Sequence, residues 1–102
     1  MNKEKRTALH YKLLKITKNV YYQPTDNTKL VYPCIVYDEV DETVFYANNR
    51  RFDTLTQVQV TIIDKVPDSD LTESFVDLFP YSSFTNKFVS DNLYHTLYEV
   101  NI

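Results

Sequence analysis

The chain contains no glycine in 102 residues. Glycine is the residue that enters positive φ without steric cost and lets backbone approach a phosphate closely. Its absence excludes the phosphate-cradling Walker loop, the GxGxxG dinucleotide fingerprint and the GxSxG nucleophile elbow. Every tight turn must instead be built from Asn, Asp, Ser or Pro. The Asn48-Asn49-Arg50-Arg51 and Ser90-Asp91-Asn92 segments are therefore the places to look for reversals of direction, since Asn and Asp tolerate the left-handed region.

The apolar pattern between these punctuation points gives the elements. Leu9, Leu13 and Ile16 recur at helical spacing, with Tyr11 and Leu14 widening the stripe, and predict a helix over 4–18 ending at Asn19. Val20-Tyr21-Tyr22 reads as a short extended piece, and Thr25–Lys29 as a polar loop. Leu30–Asp38 reads as a strand buried on both faces, with Pro33 at a strand start, an edge or a bulge. Glu39–Glu42 reads as an acidic connection and Thr43–Ala47 as a second short strand. Phe52–Asp64 is the longest strand: Val58, Val60 and Ile62 alternate with Gln57, Gln59 and Thr61, the period of a half-buried strand. Leu71, Phe75 and Leu78 predict a short helix from Asp70 to Phe79, stopped by Pro80. Phe84–Val89 and Leu93–Asn101 close the chain as a β-hairpin. The expected fold is a single α+β domain over 1–102. It has a mostly antiparallel sheet of about four to five strands, on which the N-terminal helix and the short second helix pack.

The stretch Val60–Asp70 raises the possibility of metal chemistry, because Asp64, Asp68 and Asp70 follow an apolar run. A metal-dependent hydrolase would need further ligands and a positioned base, and the chain offers no HxxxH, CxxC or EF-hand pattern. Asp68 and Asp70 have a structural use as competing helix N-caps, with Glu73 at capping-box spacing from Asp70. His10 lies on the first helix and His95 in the last strand, neither at a spacing that supports a catalytic set. The single Cys34, in an apolar run, reads as a buried thiol and excludes an internal disulfide. No catalytic residue, metal or cofactor is expected.

Charge is unevenly placed. Residues 1–18 hold six of the eleven Lys and Arg and one of the fourteen acids, leaving five bases against thirteen acids in the remainder. Such asymmetry marks either a nucleic-acid arm or the solvated face of a helix. Asn49-Arg50-Arg51-Phe52 is a weak base-and-aromatic pattern set among many acids. With no apolar run approaching the roughly 18 residues of a membrane span and no visible signal peptide, a soluble protein made in a reducing cytoplasm is expected. Nine Tyr and six Phe in so short a chain favour an interaction or assembly protein, because aromatic residues are enriched at interfaces.

An ordered series of segments carries this further. Tyr21-Tyr-Gln-Pro24 is followed by Tyr32-Pro-Cys-Ile-Val-Tyr37 and Phe45-Tyr-Ala-Asn-Asn49. Then come Gln59–Asp70, Leu78-Phe-Pro80 and Phe88-Val-Ser-Asp-Asn-Leu-Tyr-His-Thr-Leu-Tyr98. Together they resemble the small tail-completion, or tail-terminator, proteins of tailed bacteriophages over about residues 9–102. The chain departs from that pattern with a single Pro after Gln23, and with Phe52 near a position where Tyr is commoner.

The resemblance implies a structural virion protein of the tail or neck, with no catalytic residues to carry over. Such a protein forms a ring, commonly a hexamer, on the tail tube, ends tube growth and joins the tail to head-completion proteins. DNA passes through its lumen without specific binding. On this reading Asp38, Glu39, Asp41 and Glu42 are a candidate lumen-facing acidic loop. Tyr46, Asn49, Arg50, Arg51, Gln57 and Gln59 are the candidate subunit or partner interface. A head-closure or stopper protein of the neck is the nearest alternative. A metal-dependent hydrolase using Asp64, Asp68 and Asp70 is the alternative from another class.

Overall fold

The computed structural model describes all 102 residues. Seven elements follow one another: α1 (Lys3–Leu14), β1 (Val20–Tyr22), β2 (Cys34–Ala47), β3 (Arg50–Asp64), α2 (Asp70–Leu78), β4 (Ser83–Ser90) and β5 (Leu93–Asn101). The five strands form one mixed sheet in the order β1-β2-β3-β5-β4. β1 lies parallel to β2 and every other pairing is antiparallel. The fold is α+β with both helices on one face, as the apolar patterns require.

The core forms where the helices' apolar stripes meet the alternating face of the sheet. Leu9 and Leu13 of α1, Phe75 of α2 and the following Phe79 close over Ile35, Tyr37, Val58, Val60, Ile62 and Val100. Val58, Val60 and Ile62 are buried, whereas Gln57, Gln59 and Thr61 between them are half-buried, so the two-residue period holds. Burial of a Leu or Phe side chain in such a layer contributes about 1.5–3 kcal/mol. Tyr37 is fully buried, and its hydroxyl is paired with His10 Nδ1 at 2.7 Å. That bond gives His10 a structural role.

Both two-residue turns solve the glycine problem with Asn and Asp. Asn48 (φ 53) and Asn49 (φ 63) join β2 to β3; Asp91 (φ 53) and Asn92 (φ 63) join β4 to β5. Paired positive φ values mark the type I′ turn, whose twist matches that of the strands it joins.

Four expectations need correction. The first helix stops at Leu14, capped by Lys15, with i→i+3 bonds closing the end. Asn19 instead ties the chain to β2: its carbonyl accepts from Ile35 N at 2.9 Å and its side-chain amide donates to Pro33 O at 3.1 Å. The strand expected from Leu30 begins at Cys34, after Pro33. Glu39–Glu42 is not a connecting loop, since β2 runs unbroken from Cys34 to Ala47 with a bulge between Glu39 and Asp41. Cross-strand hydrogen bonds to β3 outweigh the low strand preference of Asp and Glu there.

The helix cap is the fourth. Neither Asp68 nor Asp70 caps α2: Ser69 does, its Oγ accepting from Leu71 N at 3.2 Å, and Asp70 is the first helical residue. Asp70 and Glu73 still lie in the first turn, where the helix dipole favours acids.

Candidate functional site

β2 and β3 outrun the rest of the sheet. β1 pairs with β2 only at Ile35–Tyr37, and β5 pairs with β3 only from Gln57 to Asp64. Beyond those limits Asp41–Ala47 and Arg50–Thr56 pair only with each other, apart from Thr56, which exchanges backbone bonds with Ile102. The result is a two-stranded arm that accounts for the long dimension of a molecule measuring 51 × 30 × 23 Å. The arm bears Phe45, Tyr46 (70% exposed), Phe52 (75% exposed) and Leu55 on its surface. A two-stranded ribbon is marginally stable alone in water, and contiguous exposed apolar groups mark interaction surfaces.

The start of α1 braces the base of this arm. Lys5 Nζ donates to Thr54 O at 2.7 Å and to Ile102 O at 3.1 Å. The N-terminal ammonium donates to Glu39 Oε1 and lies 4.0 Å from Glu42.

The register divides the four acids between two faces. Glu39 and Glu42 oppose the buried Val58 and Thr56, so they lie on the helix side of the sheet. Asp38 and Asp41 oppose Gln59 and Gln57 and lie on the other side. The four acids therefore form two separate pairs, one engaged by the N-terminus.

No helix covers that second face. Its cross-strand rows pass from apolar to acidic toward the arm. Cys34, Ile63, His95 and Phe88 form one row, and Asp38, Gln59, Glu99 and Ser83 another. His95 stacks on Phe88 with ring centroids 4.7 Å apart, and its Nδ1 lies 3.1 Å from Leu93 O. Burial, together with the Asp64 carboxylate, pushes the Cys34 thiol up to about 11, so it carries no thiolate for nucleophilic work near neutral pH. Burial also holds the Asp38 carboxyl above the ordinary carboxylate range.

The six expected interface residues fall into two places. Tyr46, Asn49, Arg50 and Arg51 gather at the arm tip, where Tyr46 and Arg51 are cross-strand partners. Gln57 and Gln59 lie on the helix-free face near the arm base, half-buried between β2 and β5. Asp64, Asp68 and Asp70 do not converge: no group of three or more His, Cys, Asp or Glu is placed to hold a metal ion. Asp64 Oδ1 instead accepts from Lys65 N at 2.6 Å.

Sequence reasoning missed the arm because it broke β2 at its acidic residues. The signal was nonetheless present, in that Glu39–Glu42 contains no Pro or Asn to end a strand. It also missed β4 as an exposed edge, where all eight residues face solvent, Phe84, Phe88 and Val89 among them.

The fold and its exposed groups define a two-layer α+β domain with an overhanging aromatic arm and an unpaired edge strand. No protein-family model matches the chain, and no curated protein is significantly similar to it. No helix is long and apolar enough to cross a membrane.

Proposed function

We propose that this protein is a structural component of a bacteriophage tail, located in the virion at the neck. It assembles there as a ring, most simply of six copies, on the end of the tail tube. It ends tube growth, meets the head-completion proteins on its other face and lets DNA pass through its lumen without specific binding. The observation that carries this reading is the placement of exposed aromatic surface. It lies on a projecting arm and along a lateral edge strand of one small domain, rather than in a cleft beside reactive groups. Contacts between unlike surfaces of identical subunits close into a ring when the rotation closes. The ordered segments that resemble tail terminators supply the particular role.

The test is binding of purified tail-tube protein, compared with binding of the head-side adaptor. Capture of assembled tail tubes and arrest of tube growth on addition of this protein are the expected results. Binding to the adaptor alone would instead make it a stopper. Binding to neither would overturn the neck assignment.

A further inference from the structure

Beside the arm base lies an apolar groove of about 440 Å³ between α1 and the segment after α2. Leu9, Lys12, Phe79, Tyr81, Val100 and Ile102 line it, and Lys5 sits at its end toward the arm. Tyr81 is 97% exposed at its rim. Lys12 Nζ stands over the Phe79 ring, 4.4 Å from its centroid. Apolar clefts with a few placed charges are the usual form of a binding site.

We propose that this groove receives the β2–β3 arm of a second copy of this chain. Four observations favour that occupant. First, the arm projects roughly 25 Å beyond the sheet at ~3.3 Å per residue, continuous with β2 and β3, so it cannot turn back into its own groove. Second, it presents Phe45, Phe52 and Leu55 to solvent, the chemistry an apolar groove takes up. Third, the charges are complementary. On the arm face that bears Phe45 and Leu55 the register places Asp41 and Asp53, while Lys5 and Lys12 line the groove. Fourth, Asp53 is the neighbour of Phe52 and the cross-strand partner of Phe45. Seating Phe45 and Leu55 brings the Asp53 carboxylate, which shares their face, to the groove that Lys12 lines. Arm and groove are different surfaces of one chain, so each copy has one of each to offer, and the contact repeats around a ring.

This inference deepens the ring reading and rests on it for the closed geometry. It is separable from the tail assignment, because the contact is between copies alone. The test is the solution mass of the full chain by light scattering after size exclusion, over a range of concentrations. The wild type, Phe45→Ala, Asp53→Lys, Lys12→Asp and the Asp53→Lys/Lys12→Asp double variant are compared. Phe45, Asp53 and Lys12 are exposed, and circular dichroism checks that each variant is folded.

The expected result is a concentration-dependent multiple of 12.1 kDa for the wild type. Each single change should weaken association by about tenfold or more, and the charge swap should restore it. Assembly unchanged in all variants would leave the ring standing and overturn the arm-in-groove contact. A wild type that stays monomeric at every concentration would also overturn it. An arm that the variants show to bind tail-tube protein or DNA, with no effect on mass, would assign it to that partner instead.

Discussion

At the scale of single residues, three side chains carry unequal burdens. Thr56 is fully buried on the helix side of β3, and its Oγ1 has no hydrogen-bond partner. An unpaired buried hydroxyl costs about 1–3 kcal/mol. Thr56→Val keeps the shape and removes that cost, so it is expected to stabilise the fold by about 1 kcal/mol in urea unfolding. Asp38 is strained electrostatically. Its folded carboxyl titrates above 3.8 because burial disfavours the charged form. A raised folded pKa means that the group's favourable contribution is complete below 3.8 and is lost as pH rises through the folded value. Asp38→Asn is therefore expected to raise the melting temperature near pH 7 and to leave it unchanged below the unfolded carboxyl pKa. A melting series from acid to neutral pH checks both limits.

Cys34 shows how the same burial reads differently for a thiol. Its apolar flanks already marked it as interior. The structure adds why it stays protonated: Ile63 stands across the strand pair, and Asp64, the next residue, lies close enough to disfavour a thiolate.

At the scale of elements, α2 tests how caps are read. Ser69 makes the capping bond, while Asp70 contributes through its position in the first turn. Ser69→Ala is expected to cost about 1 kcal/mol. Asp68→Asn and Asp70→Asn should each cost a few tenths, about the range of an exposed dipole interaction. Equal losses in all three, measured by thermal unfolding, would show that the acids share the capping role. The arm is the element with least internal support. In the monomer its amides from Thr43 to Leu55 should exchange with deuterium far faster than those of Val58–Ile62, which have strand partners on both sides. In the assembled protein the arm should gain protection, which hydrogen exchange across a concentration series will report.

At the scale of the whole molecule, charge division and shape act together. The basic first helix and an arm face carrying Asp41 and Asp53 lie on one chain with a net charge of −3. If the arm of one copy meets the first helix of the next, added salt screens the attraction. Self-association is then expected to weaken from low salt to about 0.15 M NaCl, where the screening length falls to about 8 Å. Light scattering at fixed protein concentration measures this. Strengthening with salt would point to a contact carried by apolar groups alone.

Much of this architecture was settled by local rules. Absence of glycine confined the tight hairpin turns to Asn48-Asn49 and Asp91-Asn92. The alternation of Val58, Val60 and Ile62 decided which face of β3 is buried, and the spacing of Leu71, Phe75 and Leu78 placed the second helix. These are short-range properties, set by backbone sterics and by the two periods of side-chain direction. The structure alone decided that β1 lies parallel to β2, that β2 continues through its acidic residues, and that β2 and β3 outreach their neighbours. Those facts depend on hydrogen bonds between residues distant in the chain. Strand pairing can override the weak local preference of Asp and Glu, and no local pattern records where a neighbouring strand ends. The candidate site is such a consequence: Phe52 and Tyr46 were visible as residues, but their exposure on an unsupported arm exists only because β5 stops short of them.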